Sequence, residues 1–195
     1  MELIYPPYAA PLYPLPNVNS SPAEASPAEE ILPVVEPDGV VTGRMRRTYA
    51  HGGSMLLHPV VHLHIMNRFG EIYLQKRSMT KDFLPGMWDT AVGGHVSYGE
   101  SVAEALYRES SEELGFTGYN PTPIISYVFE SERERELVCV FACVGNFALN
   151  PRNDEVDEGR WWSPADIRAA MGKGILTPNF EGEYNRIHKK LEALL

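Results

Sequence analysis

Between residues 93 and 116 the chain reads GGHVSYGESVAEALYRESSEELGF, and this stretch restricts the fold more than any other. Ser101 followed by Glu104 makes a capping box and predicts a helix start, while Gly115 stands where a left-handed residue would end the helix. On a wheel of about 100° per residue, Glu113 lies about 40° to one side of Glu109 and Glu112 about 60° to the other. Val102, Ala105 and Leu106 fall within about 60° of Glu109 on the same wheel. The three acids therefore continue the apolar stripe. Arg108 and Glu104 take the outer side, spaced i,i+4 for an ion pair. Carboxylates gathered beside a core raise one another's pKa unless a cation neutralises them. Hard oxygen donors without thiols suit Mg²⁺ or Mn²⁺, and two such ions bridged by acids hold a diphosphate and activate a water.

The rest of the chain supplies a frame for such a helix. VVHLHIMN alternates, NRFG turns and EIYLQKR alternates again, which predicts a hairpin; MWDTAVGG is extended. Strands are expected at PIISYVFE and ELVCVFACVGNF. Helices are expected at SPADIRAAM and from TPNF to the end, each with a hydroxyl cap and proline in first position. The order predicts an α/β fold, a mixed β-sheet covered by helices as an α/β/α sandwich. Residues 1–28 are rich in proline and are expected as an extended or disordered tail before one domain over 29–195.

A formal net charge of −9 argues against nucleic acid and against anionic membranes as partners, but not against a phosphorylated substrate carried with a divalent cation. Cys139 and Cys143 lie four apart on one strand, too far to bridge easily, and read as core filler in a reduced cytoplasmic protein. The best apolar run, LLHPVVHLHIM, is broken by histidines and a proline, and the N-terminus lacks the basic start and apolar stretch of a signal peptide, so a soluble protein is expected.

Gly94, Glu100, Arg108-Glu109, Glu112-Glu113, Gly115 and Phe116 stand at the spacing of the Nudix box, GX5EX7REUXEEXGU, and the chain resembles that superfamily. Every fixed letter is present; Ser110 departs where the pattern wants a bulky apolar residue. The resemblance implies a Nudix-type fold with divalent metal held by Glu109, Glu112, Glu113 and the Gly94 carbonyl. Glu109 or Glu112 would act on the attacking water, with Glu109 favoured. Arg108 would pair with Glu100 and brace the helix against its loop, and Gly115 would close it. A further acid from outside the box, Glu134, Glu136 or Glu155, is left open.

Residues 74–101, LQKRSMTKDFLPGMWDTAVGGHVSYGES, are similar to the branch that includes isopentenyl-diphosphate isomerase. That likeness implies a second metal site from His51, His58, His95, Glu134 and Glu136, and diphosphate contacts from Arg77 and Lys81. It also sets the reaction: the isomerase needs a thiol where this chain has Gly93 and loses the box carboxylates that this chain keeps. The expected activity is therefore hydrolysis of a diphosphate bond in a nucleoside diphosphate linked to another moiety, or in a related organic diphosphate. The rivals are an isomerase and a non-catalytic sensor. A homodimer is an expectation that rests on relatives alone.

Other residues carry blander readings. His62 and His64 share one strand face and read as packed or half-exposed side chains, not as ligands; surface charge is the competing reading for Arg77 and Lys81. Trp88 and the RWW run at 160–162 read as core, with stacking on a nucleobase as the minor reading.

Overall fold

The computed structural model describes residues 1–7, 9–13, 29–80, 83–151 and 156–195; Lys81, Glu155 and residues 14–28 of the proline-rich segment lie outside them. In chain order the elements begin with β1 (Leu12–Tyr13), β2 (Ile31–Val35), β3 (Val41–Arg46) and the single turn α1 (Arg47–Tyr49), which runs into a second turn at Ala50–Ser54. There follow β4 (Leu57–Met66), β5 (Ile72–Arg77), β6 (Trp88–Asp89), β7 (Val92–His95) and α2 (Val102–Leu114). The chain continues through β8 (Thr122–Glu130), β9 (Arg135–Val144), β10 (Val156–Trp162), α3 (Pro164–Ala170) and α4 (Pro178–Glu192). Strands β10, β5, β4, β9 and β8 bond in that order, with β6 on β5 and β7 on β4; β1, β3 and β2 form a second sheet. The fold is α/β with a mixed multistranded sheet, as the element order predicts.

The described chain divides into two compact units, the first made of Met1–Val61, Gly94–Ala105 and Ser126–Cys139. Here β2 and β3 pair antiparallel, and β1 adds to β3 in parallel with Leu12 opposite Arg44. The described part of the proline-rich segment lies along this edge. Ile4 donates to the Gly39 carbonyl (3.0 Å) and accepts from Val41 N–H (2.8 Å), and the Pro11 carbonyl accepts from Arg44 N–H (2.7 Å). Prolines suit an edge because they have no N–H to leave unpaired. Ala10 is buried with Val35, Val41, Leu57 and Leu137, and Leu3 and Tyr5 pack against them. The capping box forms as expected: Ser101 Oγ accepts from Glu104 N–H at 3.2 Å, and the Glu104 carboxylate accepts from Ser101 N–H at 2.8 Å.

The second unit is His62–Gly93, Leu106–Ile125 and Val140–Leu195. Its hairpin sets Ile65 opposite Tyr73 and Met66 opposite Ile72, and Asn67 Oδ1 closes the turn by accepting from Phe69 and Glu71 N–H. Strand β10 pairs antiparallel with β5, Gly159 opposite Gln75. Gly159 is needed there because a Cβ would fall 1.9 Å from the Tyr73 hydroxyl. Since side chains alternate, Leu63, Ile65, Tyr73 and Gln75 share one sheet face, and His62 and His64 point to the other. Glu113 of α2 bonds to Gln75 on the first face, and Glu183 of α4 bonds to His62 and His64 on the second. Within this unit the sheet is thus flanked by a helix on each side, the layer order expected.

Local signals account for the helix ends. Gly115, at φ +59°, closes α2, and Phe116 N–H reaches back to the Ser110 carbonyl (3.1 Å). Ser163 caps α3 and Thr177 caps α4, each followed by proline. Leu106, Leu114, Ile167, Phe180 and Ile187 are buried, each worth roughly 1.5–3 kcal/mol of apolar transfer. Cys139 and Cys143 are buried free thiols, and burial pushes that of Cys143 up to about 12.

Candidate active site

The carboxylates of α2 belong to the second unit and differ in their surroundings. Arg108 donates to Glu109 at 2.7 Å and to Glu112, one turn further, at 3.4 Å. Its i,i+4 partner here is Glu112, because Glu104 accepts from Ser101 in the cap. The side chain of Glu109 is 13% exposed and that of Glu112 59% exposed, whereas Glu113 is buried and accepts from Gln75 Nε2 at 3.0 Å. One acid is tied to the sheet, one is held by arginine in a half-buried place, and one faces solvent. The helical wheel puts them on a common edge; what stands opposite each acid decides its exposure.

Ser110 is fully buried. Its hydroxyl donates to the Tyr107 carbonyl (3.1 Å) and lies 2.9 Å from the Tyr119 hydroxyl, which also reaches the Leu106 carbonyl (3.3 Å). Tyr119 stacks on Phe116 with ring centroids 4.5 Å apart. A small polar residue and a distant tyrosine thus replace the bulky apolar residue of the pattern without leaving a buried hydroxyl unpaired.

The first unit gathers the histidines. The rings of His51, His58 and His95 lie within 5.0–6.0 Å of one another, and one atom each from His58, His95 and Glu136 falls within 4.8 Å of the others. His51 Nδ1 bonds to Glu134, and this bond, ahead of an opposing burial effect, holds the Glu134 carboxyl below its ordinary range. His58 is fully buried, which pushes its pKa down and keeps it neutral. Its Nδ1 donates to the Leu56 carbonyl at 3.2 Å, so the lone pair sits on Nε2, and that buried atom has no hydrogen-bond partner among the described residues. A neutral imidazole oriented by a carbonyl and close to a second histidine and a carboxylate offers donors of the type that suit a metal ion.

The remaining expected residues fall as follows. Gly94 lies in β7, and Glu100 accepts from Ser97 N–H at 3.0 Å. Arg77 donates to the Phe83 carbonyl at 3.2 and 3.0 Å and sits 3.6 Å from Asp89, so its guanidinium helps shape the loop it leads into. Trp88 and Trp162 are buried and Arg160 lies over both rings; with Trp161 they line a cavity of about 420 Å³. Gln75 and Tyr119 escaped the sequence reading. Gln75 left a trace, a polar residue among the apolar positions of its strand.

A NUDIX domain model matches residues 56–180 of this chain. The chain belongs to the Nudix hydrolase family. A Nudix hydrolase of Salmonella typhi, YfcD, is 35% identical over 142 residues, covering 72% of this chain and 76% of that relative. An isopentenyl-diphosphate Delta-isomerase of Escherichia coli is 31% identical over 135 residues, covering 66% and 74%. The solved structure of DR0079 from Deinococcus radiodurans aligns with a TM-score of 0.71 at 25% identity, over 81% of this chain and 99% of that one. The matched domain encloses the Nudix box from Gly94 to Phe116. Nudix hydrolases use a divalent metal, and the donors here fit one: glutamate oxygens on α2, and imidazole nitrogens with a carboxylate in the first unit. Among the described residues no helix is long and apolar enough to cross a membrane.

Proposed function

We propose that this Nudix protein hydrolyses the diphosphate bond of a nucleoside diphosphate linked to another moiety, or of a related organic diphosphate, with Mg²⁺ or Mn²⁺. The reading is carried by the complete carboxylate set on α2, with Glu109 held by Arg108 and Glu113 by Gln75. The metal, when bound, supplies positive charge against the phosphate oxygens and a more acidic water. Glu109 takes the proton of the attacking water or aligns it, water oxygen bonds to one phosphorus, and the bridging P–O bond breaks. Arg108 keeps Glu109 and Glu112 from turning away, and Gln75 fixes the rotamer of Glu113. A second metal site from His58, His95 and Glu136, with His51 and Glu134 beside it, is part of the same proposal. The isomerase reading is not favoured, since Gly93 has no side chain to deliver a proton.

The test is turnover of a panel of nucleoside-linked and prenyl diphosphates with Mg²⁺ by wild type, Glu112→Gln and Glu113→Gln. The expected result is metal-dependent release of two phosphorylated products by wild type and a loss of at least about a hundredfold in either variant. Activity within a few-fold of wild type in both variants would remove the proposed ligands.

A further inference from the structure

The tryptophan-lined cavity of about 420 Å³ lies wholly within the second unit. Backbone pairing builds its walls. Trp88 N–H donates to the Ile175 carbonyl and Thr177 N–H to the Trp88 carbonyl, each at 2.9 Å, so the segment before α4 is stitched to β6. Trp162 ends β10 opposite Ile72, and the Ser163 cap turns the chain at once into α3, whose Ala169 and Ala170 also line the cavity. Arg160 pairs opposite Leu74 and Trp88 opposite Lys76, on the sheet face that alternation sets against that of Gln75, the partner of Glu113. These side chains thus lie across the sheet from the α2 carboxylates.

The lining offers donors that lack acceptors. Trp162 is 4% exposed, and its Nε1 is buried with no hydrogen-bond partner. A buried donor left unpaired is costly, and few occur in folded proteins. The Arg160 guanidinium lies 4.0 Å from the Trp162 ring centroid and 4.8 Å from that of Trp88, two rings packed edge to face. Arg160 is exposed, and among the described residues it has no carboxylate partner. Stacking fixes the guanidinium plane and leaves its N–H edge for a ligand. Asp166, the acid on the wall, already accepts from Ser163 Oγ at 2.7 Å. Ala169, Ala170 and Ile175 supply apolar surface.

A ligand complementary to this lining has a flat apolar body, ring acceptors and an anionic group. The volume suits one, since small-molecule sites span roughly 300–1,000 Å³. We propose that the cavity is a second small-molecule site, apart from the α2 carboxylates, and that it takes a nucleoside monophosphate. The phosphate meets Arg160, and the base rests against the indoles and α3. The inference goes beyond the hydrolase reading and does not depend on it.

Trp88, Trp161 and Trp162 are the 3 tryptophans of the chain and all line this cavity, so intrinsic fluorescence reports its occupancy. The experiment is titration of the full chain with adenosine monophosphate in EDTA, which keeps divalent ions from the α2 carboxylates. Adenosine and inorganic phosphate are titrated alongside. Saturable quenching by the monophosphate is expected, with each of the other two weaker by about tenfold or more. Arg160→Gln should bring the monophosphate down to the affinity of adenosine. Ala169→Phe, at an exposed position, should fill the cavity and weaken both by about tenfold or more. Glu112→Gln should bind as wild type does. The inference is overturned if wild type shows no saturable quenching, or if inorganic phosphate binds as tightly as the monophosphate. An affinity within about twofold of wild type in either Arg160→Gln or Ala169→Phe overturns it too. So does loss of binding in Glu112→Gln, which would put the ligand at the carboxylates. None of these readouts involves turnover, so the hydrolase reading stands or falls separately.

Discussion

Gln75 Nε2 donates to a Glu113 oxygen at 3.0 Å, and both side chains are buried where β5 meets α2. The bond joins a carboxylate of the Nudix box to the sheet. Replacing Gln75 by leucine removes this donor and leaves the carboxylate poorly solvated. The expected cost is about 1–3 kcal/mol of stability. Urea unfolding would measure it, and Gln75→Glu should be worse, since it sets a second carboxylate against the first.

Tyr119 and Ser110 form a buried polar pair where the family pattern expects an apolar side chain. Ser110→Leu should destabilise the chain by about 1–3 kcal/mol, because the extra methyl groups enter filled space and the Tyr119 hydroxyl loses a partner. Ser110→Leu combined with Tyr119→Ala should recover part of that loss, by opening room. Thermal unfolding of the three proteins decides it.

Burial also pushes the Tyr119 hydroxyl from 10.0 up to about 12. Between those values the unfolded chain has released the proton and the folded chain has kept it, so stability falls as pH rises from about 10 toward about 12. Tyr119→Phe removes this contribution. Unfolding midpoints measured across that range should decline less steeply for the variant than for wild type.

Tyr5 ties the N-terminal segment to the box loop within the first unit. Its hydroxyl accepts from Gly99 N–H at 2.9 Å and reaches the Glu100 carbonyl at 3.2 Å, and its ring packs edge-on against Tyr98. Tyr5→Phe should cost about 0.5–1.5 kcal/mol per lost bond and speed hydrogen exchange at Gly99. Removal of residues 1–13 should lower kcat more than it alters KM, because the loop positions the helix that follows it. Exchange and kinetics unchanged by both alterations would show that the segment is not coupled to the loop.

Metal binding separates the two donor sets. With Mn²⁺ at a hundred times its dissociation constant, each occupied site raises stability by about 2.7 kcal/mol. His58→Gln and Glu112→Gln should each remove part of the Mn²⁺-induced rise in Tm, and the double variant most of it. A His58→Gln protein with the full rise would leave the histidines without a metal role.

The sequence by itself determined the parts whose causes are local. The capping box of Ser101 and Glu104, the left-handed stop at Gly115, the Asn67 turn and the proline starts of α3 and α4 act within a few residues, and all are observed. The glutamates of α2 were legible for the same reason, since their spacing is set by the helix that carries them. Tertiary structure alone decided what each side chain meets. Whether Glu113 finds Gln75, Ser110 finds Tyr119, or His62 and His64 close on Glu183 depends on strand register and helix placement across 9 to 121 residues of sequence. Periodicity tells which way a side chain points from its own axis, whereas hydrogen bonds and burial depend on what another element brings there. Histidines that read as packed or half-exposed thus meet a buried carboxylate, and part of a proline-rich start lies at the edge of a sheet.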